Sequence, residues 1–172
     1  MKQIVSVPVV TLQSVNQPIR LFFHLSSTVN RHFLIMIILS TMFKDRTKWC
    51  GSGNVSENYD DLGVFAESDA CCRTHDHCGD VIEAMRTKYN LTNPSFYTRL
   101  QCSCDEKFYD CLHSSPDDIG DKVGILYFDF LGTKCFRNDY PIVGCKYPKR
   151  CLEYELDESQ PKMYQWFDVP LY

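Results

Sequence analysis

Between Asp69 and Cys78 the chain reads Asp69-Ala70-Cys71-Cys72-Arg73-Thr74-His75-Asp76-His77-Cys78, with three cysteines, two histidines and two aspartates in ten residues. Three chemistries compete for it. As a zinc site, Cys71, Cys72, His75, His77 and Cys78 supply suitable ligand types, but adjacent cysteines and His-x-x-Cys lack the usual paired Cys-x-x-Cys spacing. As a disulfide knot, the segment needs its cysteines and has no use for the histidines. As a catalytic site, His75 is a general base whose second ring nitrogen is oriented by a carboxylate. Asp76, about 100° further round a helix, then points elsewhere and is free to bind a cation. The glycine-rich stretch Trp49-Cys50-Gly51-Ser52-Gly53-Asn54 offers backbone carbonyls that can approach a metal closely. Oxygen-only ligation of that kind suits calcium. The chain contains no EF-hand loop, Gly-x-Ser-x-Gly elbow, Walker A loop or His-Glu-x-x-His, which weakens the serine-hydrolase, nucleotide and metalloprotease readings.

These residues need elements to position them. Trp49 to Gly63 has loop chemistry. From Ser68 or Asp69, an N-cap candidate, the pattern turns helical: Cys71, Cys72, His75, Cys78, Ile82 and Met85 follow at three- and four-residue steps. A break from Tyr89 to Pro94 precedes a second helix, expected to start near Asn93-Pro94 or slightly later and to carry Leu100, Cys104, Phe108, Cys111 and Leu112. Ser115-Pro116 is the expected cap of a third, shorter helix with Ile119, Val123, Leu126, Tyr127 and Phe130. Cys151–Leu156 and Met163–Phe167 read as strands joined by a turn over 157–161. Cys71 and Cys78 are seven residues apart, as are Cys104 and Cys111, so each pair shares a helix face. A short connection between the helices favours an antiparallel pair, which predicts the bridges Cys71–Cys111 and Cys78–Cys104 as two rungs. His75 then lies between the rungs, with Asp105 about 3 Å away along the axis.

The 172 residues suit one compact domain. All ten cysteines fall between Cys50 and Cys151, and an even count at that density points to an oxidising compartment. Near the N-terminus, Arg31-His32, the apolar run Phe33–Leu39 and then Ser40-Thr41 resemble a secretory leader. About thirty residues precede the apolar run, long for such a leader, so an atypical leader and a later translation start both stay open. The run is too short to span a bilayer, which takes roughly 20 residues. Residues 1–45 are therefore expected to be a leader or pro region and 46–172 the functional domain. Losing the leader near Lys44 removes Lys2, Arg20 and Arg31. That leaves 15 Lys+Arg against 22 Asp+Glu, a net charge of −7 compared with −4 for the full chain. Nucleic acid is not an expected partner for such a domain. Asn54-Val55-Ser56 and Asn90-Leu91-Thr92 are glycosylation sequons, while proline blocks Asn93-Pro94-Ser95.

At these residues the chain resembles the secreted phospholipase A2 family, group III or bee-venom type. The resemblance rests on Trp49-Cys50-Gly51-x-Gly53-Asn54, on the Asp69–Cys78 segment, and on Cys102-x-Cys104-Asp105-x-Lys107-Phe108-Tyr109-Asp110-Cys111. Thr98-Arg99-Leu100, Tyr127-Phe128, Gly144-Cys145, Arg150-Cys151-Leu152 and Pro161-Lys162-x-Tyr164-Gln165-Trp166-Phe167-Asp168 extend it from Trp49 to the C-terminus. It implies a mainly α, disulfide-rich fold with an N-terminal calcium loop, two long antiparallel disulfide-linked helices and a small C-terminal β region. It further implies that His75 is the general base for hydrolysis of the sn-2 ester of a phospholipid, oriented by Asp105 and supported by Tyr127. Calcium would be held by the carbonyls of Trp49, Gly51 and Gly53 and by Asp76, with the Gly51 N–H at the oxyanion. The bridges Cys50–Cys72, Cys102–Cys135 and Cys145–Cys151 are implied in the same way. The expected product pair is a fatty acid and a lysophospholipid, and the expected partner is a phospholipid membrane or micelle surface, met by a secreted monomer. A receptor-binding toxin on the same scaffold is the rival reading. Ser52, His77 and the stretch 115–121 depart from the bee-venom pattern. His77 is expected to face solvent as a bystander, and Tyr164, Trp166 and Phe167 to pack rather than touch lipid.

Overall fold

The computed structural model describes residues 46–51, 54–147 and 150–172. The expected leader and the loop residues Ser52 and Gly53 lie outside them. Among the described residues, three α-helices, one π-helical segment and eight short strands alternate along the chain. The fold is thus mixed α and β, and the mainly α expectation is corrected.

Helix α1, Ala66–Asp76, starts before the expected cap. Ser68 and Asp69 do not cap it; both are fully buried inside its first turns and spend their polar atoms on other segments. The helix also ends earlier than the apolar periodicity suggested. Cys78 lies past its end, and Ile82 belongs to strand β1 (Val81–Ile82), paired antiparallel with β4 (Arg99–Leu100). Between them β2 (Thr87–Lys88) and β3 (Leu91–Thr92) form a hairpin. The link between the two main helices is therefore residues 77–101, an ordered excursion rather than the short turn expected. Asn93 starts no helix. It is fully buried, its Nδ2 donating to the carbonyls of Ile82 (3.0 Å), Glu83 (3.2 Å) and Tyr97 (2.8 Å), so one amide organises the whole excursion.

Helix α2, Cys102–Ser114, buries Cys102, Asp105, Phe108 and Leu112, a three- and four-residue repeat facing α1. Helix α3, Asp118–Gly124, is capped by Asp117 rather than by Ser115-Pro116. The Asp117 carboxylate accepts from the backbone N–H groups of Ile119 and Gly120. It also accepts from Ser68 N–H and Oγ, so the cap of α3 is a clamp on α1. From Ile125 to Leu131 the chain widens into π-helical turns, ended by Gly132 at φ +55°, where a left-handed residue is needed.

The C-terminal part pairs differently from the order in sequence. Strand β5 (Lys134–Asp139) runs antiparallel to β8 (Met163–Asp168), and β6 (Ile142–Cys145) to β7 (Tyr154–Leu156). The two strands expected from sequence are both present, β7 shorter than read, but each pairs with a strand that was not foreseen. Phe167 enters the core, Tyr164 stacks on Tyr89 with ring centroids 3.8 Å apart, and Arg99 lies over the Trp166 ring, so these aromatics pack as expected. The core joins Trp49, the α1–α2 face, Ile119, Val123, Phe128, Phe167 and Val169.

All ten cysteines are paired: Cys50–Cys72, Cys71–Cys111, Cys78–Cys104, Cys102–Cys135 and Cys145–Cys151. No sulfur is left as a thiolate, which removes the zinc reading.

Candidate active site

The rungs Cys71–Cys111 and Cys78–Cys104 fix α1 against α2, and His75 sits between them. Its Nε2 is 2.8 Å from Asp105 Oδ1. Both groups are shielded, their side chains retaining 9% and 2% of their exposure. The imidazole lies flat on Phe108 at 4.1 Å between centroids and meets Tyr127 edge-on at 5.0 Å. With a carboxylate at Nε2, that nitrogen carries the proton and Nδ1 keeps its lone pair. Among the described residues Nδ1 has no hydrogen-bond partner, and the side chain keeps 9% of its exposure.

Tyr127 is presented by the π-helical segment, a distortion often found at functional sites. Its hydroxyl donates to the same Asp105 Oδ1 at 2.8 Å. Burial, reinforced by the Asp105 charge, pushes the phenol well above its ordinary range, so it remains a donor. Asp105 Oδ2 is buried with no hydrogen-bond partner, so both donors converge on one oxygen.

Asp76 ends α1 on the other side of His75. It makes no hydrogen bond or ion pair among the described residues, and desolvation pushes its carboxyl up to about 6 against the opposing pull of His75 and His77. Solvent reaches this side chain, yet the surrounding protein strips enough water to disfavour the charge.

The segment from Thr47 to Gly51 is held beside α1 by Asp69, whose part sequence reasoning missed. Asp69 Oδ1 accepts from Trp49 N–H at 2.7 Å and Lys48 N–H at 3.0 Å, and Oδ2 from Lys48 N–H at 2.9 Å and Gly63 N–H at 2.7 Å. Three backbone donors thus satisfy the acceptors of a fully buried carboxylate. The only sequence signal was a helical aspartate set among cysteines, and it pointed to a cap. Trp49 is buried, its indole N–H donating to Asp61 O at 3.0 Å, while Lys48 pairs with the Asp61 carboxylate. Gly63 lets the chain cross here: a Cβ would lie 2.4 Å from Arg46 O and 2.7 Å from Thr47 Cα. His77 is exposed but not idle, since its ring packs between Trp49 at 5.3 Å and Tyr59 at 5.1 Å. Gly51 is exposed beside the Cys50–Cys72 bridge.

A shielded histidine–carboxylate–phenol chain whose second imidazole nitrogen has no partner among the described residues is suited to general-base chemistry. A family model described as phospholipase A2 matches residues 43–139. Among curated proteins, the chain is 54% identical over 131 residues to the phospholipase A2 of Bombus pensylvanicus, covering 73% of this chain and 96% of that protein. It is 50% identical over 129 residues to the phospholipase A2 of Apis mellifera, covering 73% and 77%. The phospholipase A2 large subunit of Chersonesometrus fulvipes is 48% identical over 99 residues, 55% of this chain and 95% of that one. The chain belongs to the phospholipase A2 family, in its group III, bee-venom type.

Proposed function

We propose that this protein is a secreted, calcium-dependent phospholipase A2 that hydrolyses the sn-2 acyl ester of glycerophospholipids at a membrane or micelle surface, releasing a fatty acid and a lysophospholipid. The observation that carries the reading is the His75–Asp105–Tyr127 chain with its free Nδ1. Residues 1–45 act as the leader and 46–172 as the catalytic domain.

In this reading His75 Nδ1 takes a proton from water as the water oxygen bonds to the ester carbonyl carbon. Asp105 holds the imidazole in the required tautomer and balances the positive charge it gains. Tyr127 fixes Asp105 by its own donation. The Gly51 N–H donates toward the oxygen that becomes negative. As the intermediate collapses, His75 returns the proton to the departing glycerol oxygen and the carbon–oxygen bond breaks.

The residues present fit calcium. Asp76 makes no hydrogen bond or ion pair among the described residues, and it lies on the helix that also anchors the Trp49 backbone through Asp69. The backbone carbonyls of Trp49, Gly51 and Gly53 would complete an all-oxygen donor set, which suits a hard ion. When bound, calcium supplies positive charge that polarises the ester carbonyl and attracts the phosphate.

The test is hydrolysis of mixed phospholipid vesicles with positional analysis of the products, with calcium and with excess EGTA. Lysophospholipid retaining the sn-1 chain, formed only with calcium, is the expected result. Undiminished turnover in EGTA sinks the calcium assignment, and no turnover under any condition sinks the enzyme.

A further inference from the structure

We infer that Asn90 is an N-linked glycosylation site, displayed at the tip of the β2–β3 hairpin. This rests on the secretory reading above, because glycan transfer to Asn-x-Thr occurs only along that route.

The register Lys88↔Leu91 leaves Tyr89 and Asn90 as a two-residue loop. Both residues are left-handed, at φ +55° and +59°, as a type I′ hairpin turn requires. Asparagine tolerates that conformation better than tyrosine does. Tyr89 is held there from below. Its ring lies parallel to Tyr164 at 3.8 Å, and its hydroxyl donates to Asp80 Oδ2 at 3.2 Å. Lys88 Nζ binds the other oxygen of Asp80 at 2.7 Å. With Tyr89 anchored on Tyr164 and Asp80, Asn90 is exposed, and its side chain makes no hydrogen bond among the described residues. The hydroxyl of the sequon is exposed too, on Thr92, paired with Thr87 Oγ1 at 2.9 Å.

The neighbouring asparagines differ. Asn93 is buried with its amide fully engaged, and Pro94 blocks its sequon. Asn54 is exposed, but its Oδ1 accepts from Ser56 Oγ at 3.3 Å and it adjoins the loop assigned to calcium. The hairpin carries none of His75, Asp76, Asp105 or Tyr127. A bulky glycan on it leaves those residues uncovered by their own segment.

In the transfer, Asn90 Nδ2 forms a bond to C1 of an oligosaccharide carried on a lipid pyrophosphate. The C1–oxygen bond to the carrier breaks, the lipid pyrophosphate leaves with the electron pair, and the amide proton passes to a base on the transferase.

The full chain is expressed in insect cells, collected from the medium and treated with peptide-N-glycosidase A in ¹⁸O water. Mass spectrometry of the Asn90 peptide is expected to show ¹⁸O-labelled aspartate. The label should vanish in Thr92→Ala, which leaves the turn residues untouched, and in Asn90→Gly. Glycine adopts the left-handed turn freely, so that variant should fold and keep wild-type lysophospholipid release. Secreted protein with unlabelled Asn90, or with label at Asn54 alone, overturns the proposal. A chain found only in the cytosol overturns the secretory reading and this proposal together, and its location tells the two failures apart.

Discussion

Asp69 and Asp76 stand two turns apart on α1 and are treated oppositely by the fold. Asp69 is buried and saturated by backbone N–H groups of Lys48, Trp49 and Gly63. Asp76 has no donor among the described residues, and desolvation pushes its carboxyl up to about 6 from the usual 3.8. A carboxyl raised by folding favours the folded state below its unfolded value, and that advantage is lost as pH rises through about 6. Calcium held as proposed would oppose this, because it binds only the charged form. Calcium affinity measured by calorimetry should therefore weaken as pH falls through about 6 and level off above it; a flat profile from pH 5 to 8 would count against Asp76 as a ligand. Asp69→Asn turns an amide N–H₂ toward backbone donors, leaving buried groups unpaired at a cost of about 1–3 kcal/mol. It should raise the calcium concentration needed for half-saturation, read from Trp49 fluorescence, and Asp69→Glu should recover part of the loss. His75→Gln should lower kcat on the order of 10²–10⁴-fold with an unchanged circular dichroism spectrum. Wild-type turnover in that variant removes His75 from its role. The His75–Asp105 contact was legible because the spacing that brings the two together is local to two helices. Asp69 was not, because its partners lie 20 and 21 residues upstream and a helical aspartate looks the same locally whether it caps or anchors.

The two helices owe their register to bridges that carry different loads. Cys71–Cys111 joins the middle of α1 to the end of α2, while Cys78–Cys104 ties the chain just past α1 to the residue beside Asp105. The seven-residue cysteine spacing led to both rungs although its premise was partly wrong, since Cys78 is not helical and the connection is not short. The spacing worked because antiparallel packing constrains which sulfurs can meet, wherever the helix formally ends. Helix ends were misread because Ile82 and Leu100 fit a helical repeat and a two-stranded pair equally well, and the pair is held by contacts distant in sequence, among them the Asn93 amide on Ile82 O. Replacing Cys78 and Cys104 by alanine should cost about 2–5 kcal/mol in denaturant unfolding. It should also lower kcat more than the Cys145→Ala/Cys151→Ala double variant, whose loop spans a separation of only 6 and holds neither His75 nor Asp105. Equal effects of the two double variants on kcat would show that the rung does not position the pair.

At the scale of the molecule, a C-terminal module closes the back of the catalytic helices, and its charges are wired into backbone. Arg150 donates to the carbonyls of Phe128, Val169 and Pro170, so the chain after β8 is drawn onto the π-helical segment that presents Tyr127. Asp168 accepts from Cys151 N–H at 2.9 Å and Tyr154 Oη at 3.2 Å, and its other oxygen pairs with Lys134 at 2.7 Å. None of this was visible in the sequence, because β5–β8 and β6–β7 pair across intervening segments and no periodicity encodes which strand meets which. Burial raises the Asp168 carboxyl, but Lys134 and the Cys151 N–H outweigh it and leave its pKa lowered. Asp117 is lowered in the same way, by Ser68 and the α3 backbone. A carboxyl depressed by folding stabilises the protein above its unfolded value, and that contribution disappears as pH falls through the folded value. Stability to denaturant should therefore drop on the acid side of about pH 4, the ordinary carboxylate range. Asp168→Asn should flatten that acid limb while lowering stability at neutral pH, since the amide keeps an acceptor but loses the ion pair. Because Arg150 anchors the same module to the Tyr127 segment, Arg150→Ala should lower kcat as well as stability, whereas Asp168→Asn should act mainly on stability. A kcat unchanged in Arg150→Ala would mean that the C-terminal module supports the fold without positioning the phenol that holds Asp105.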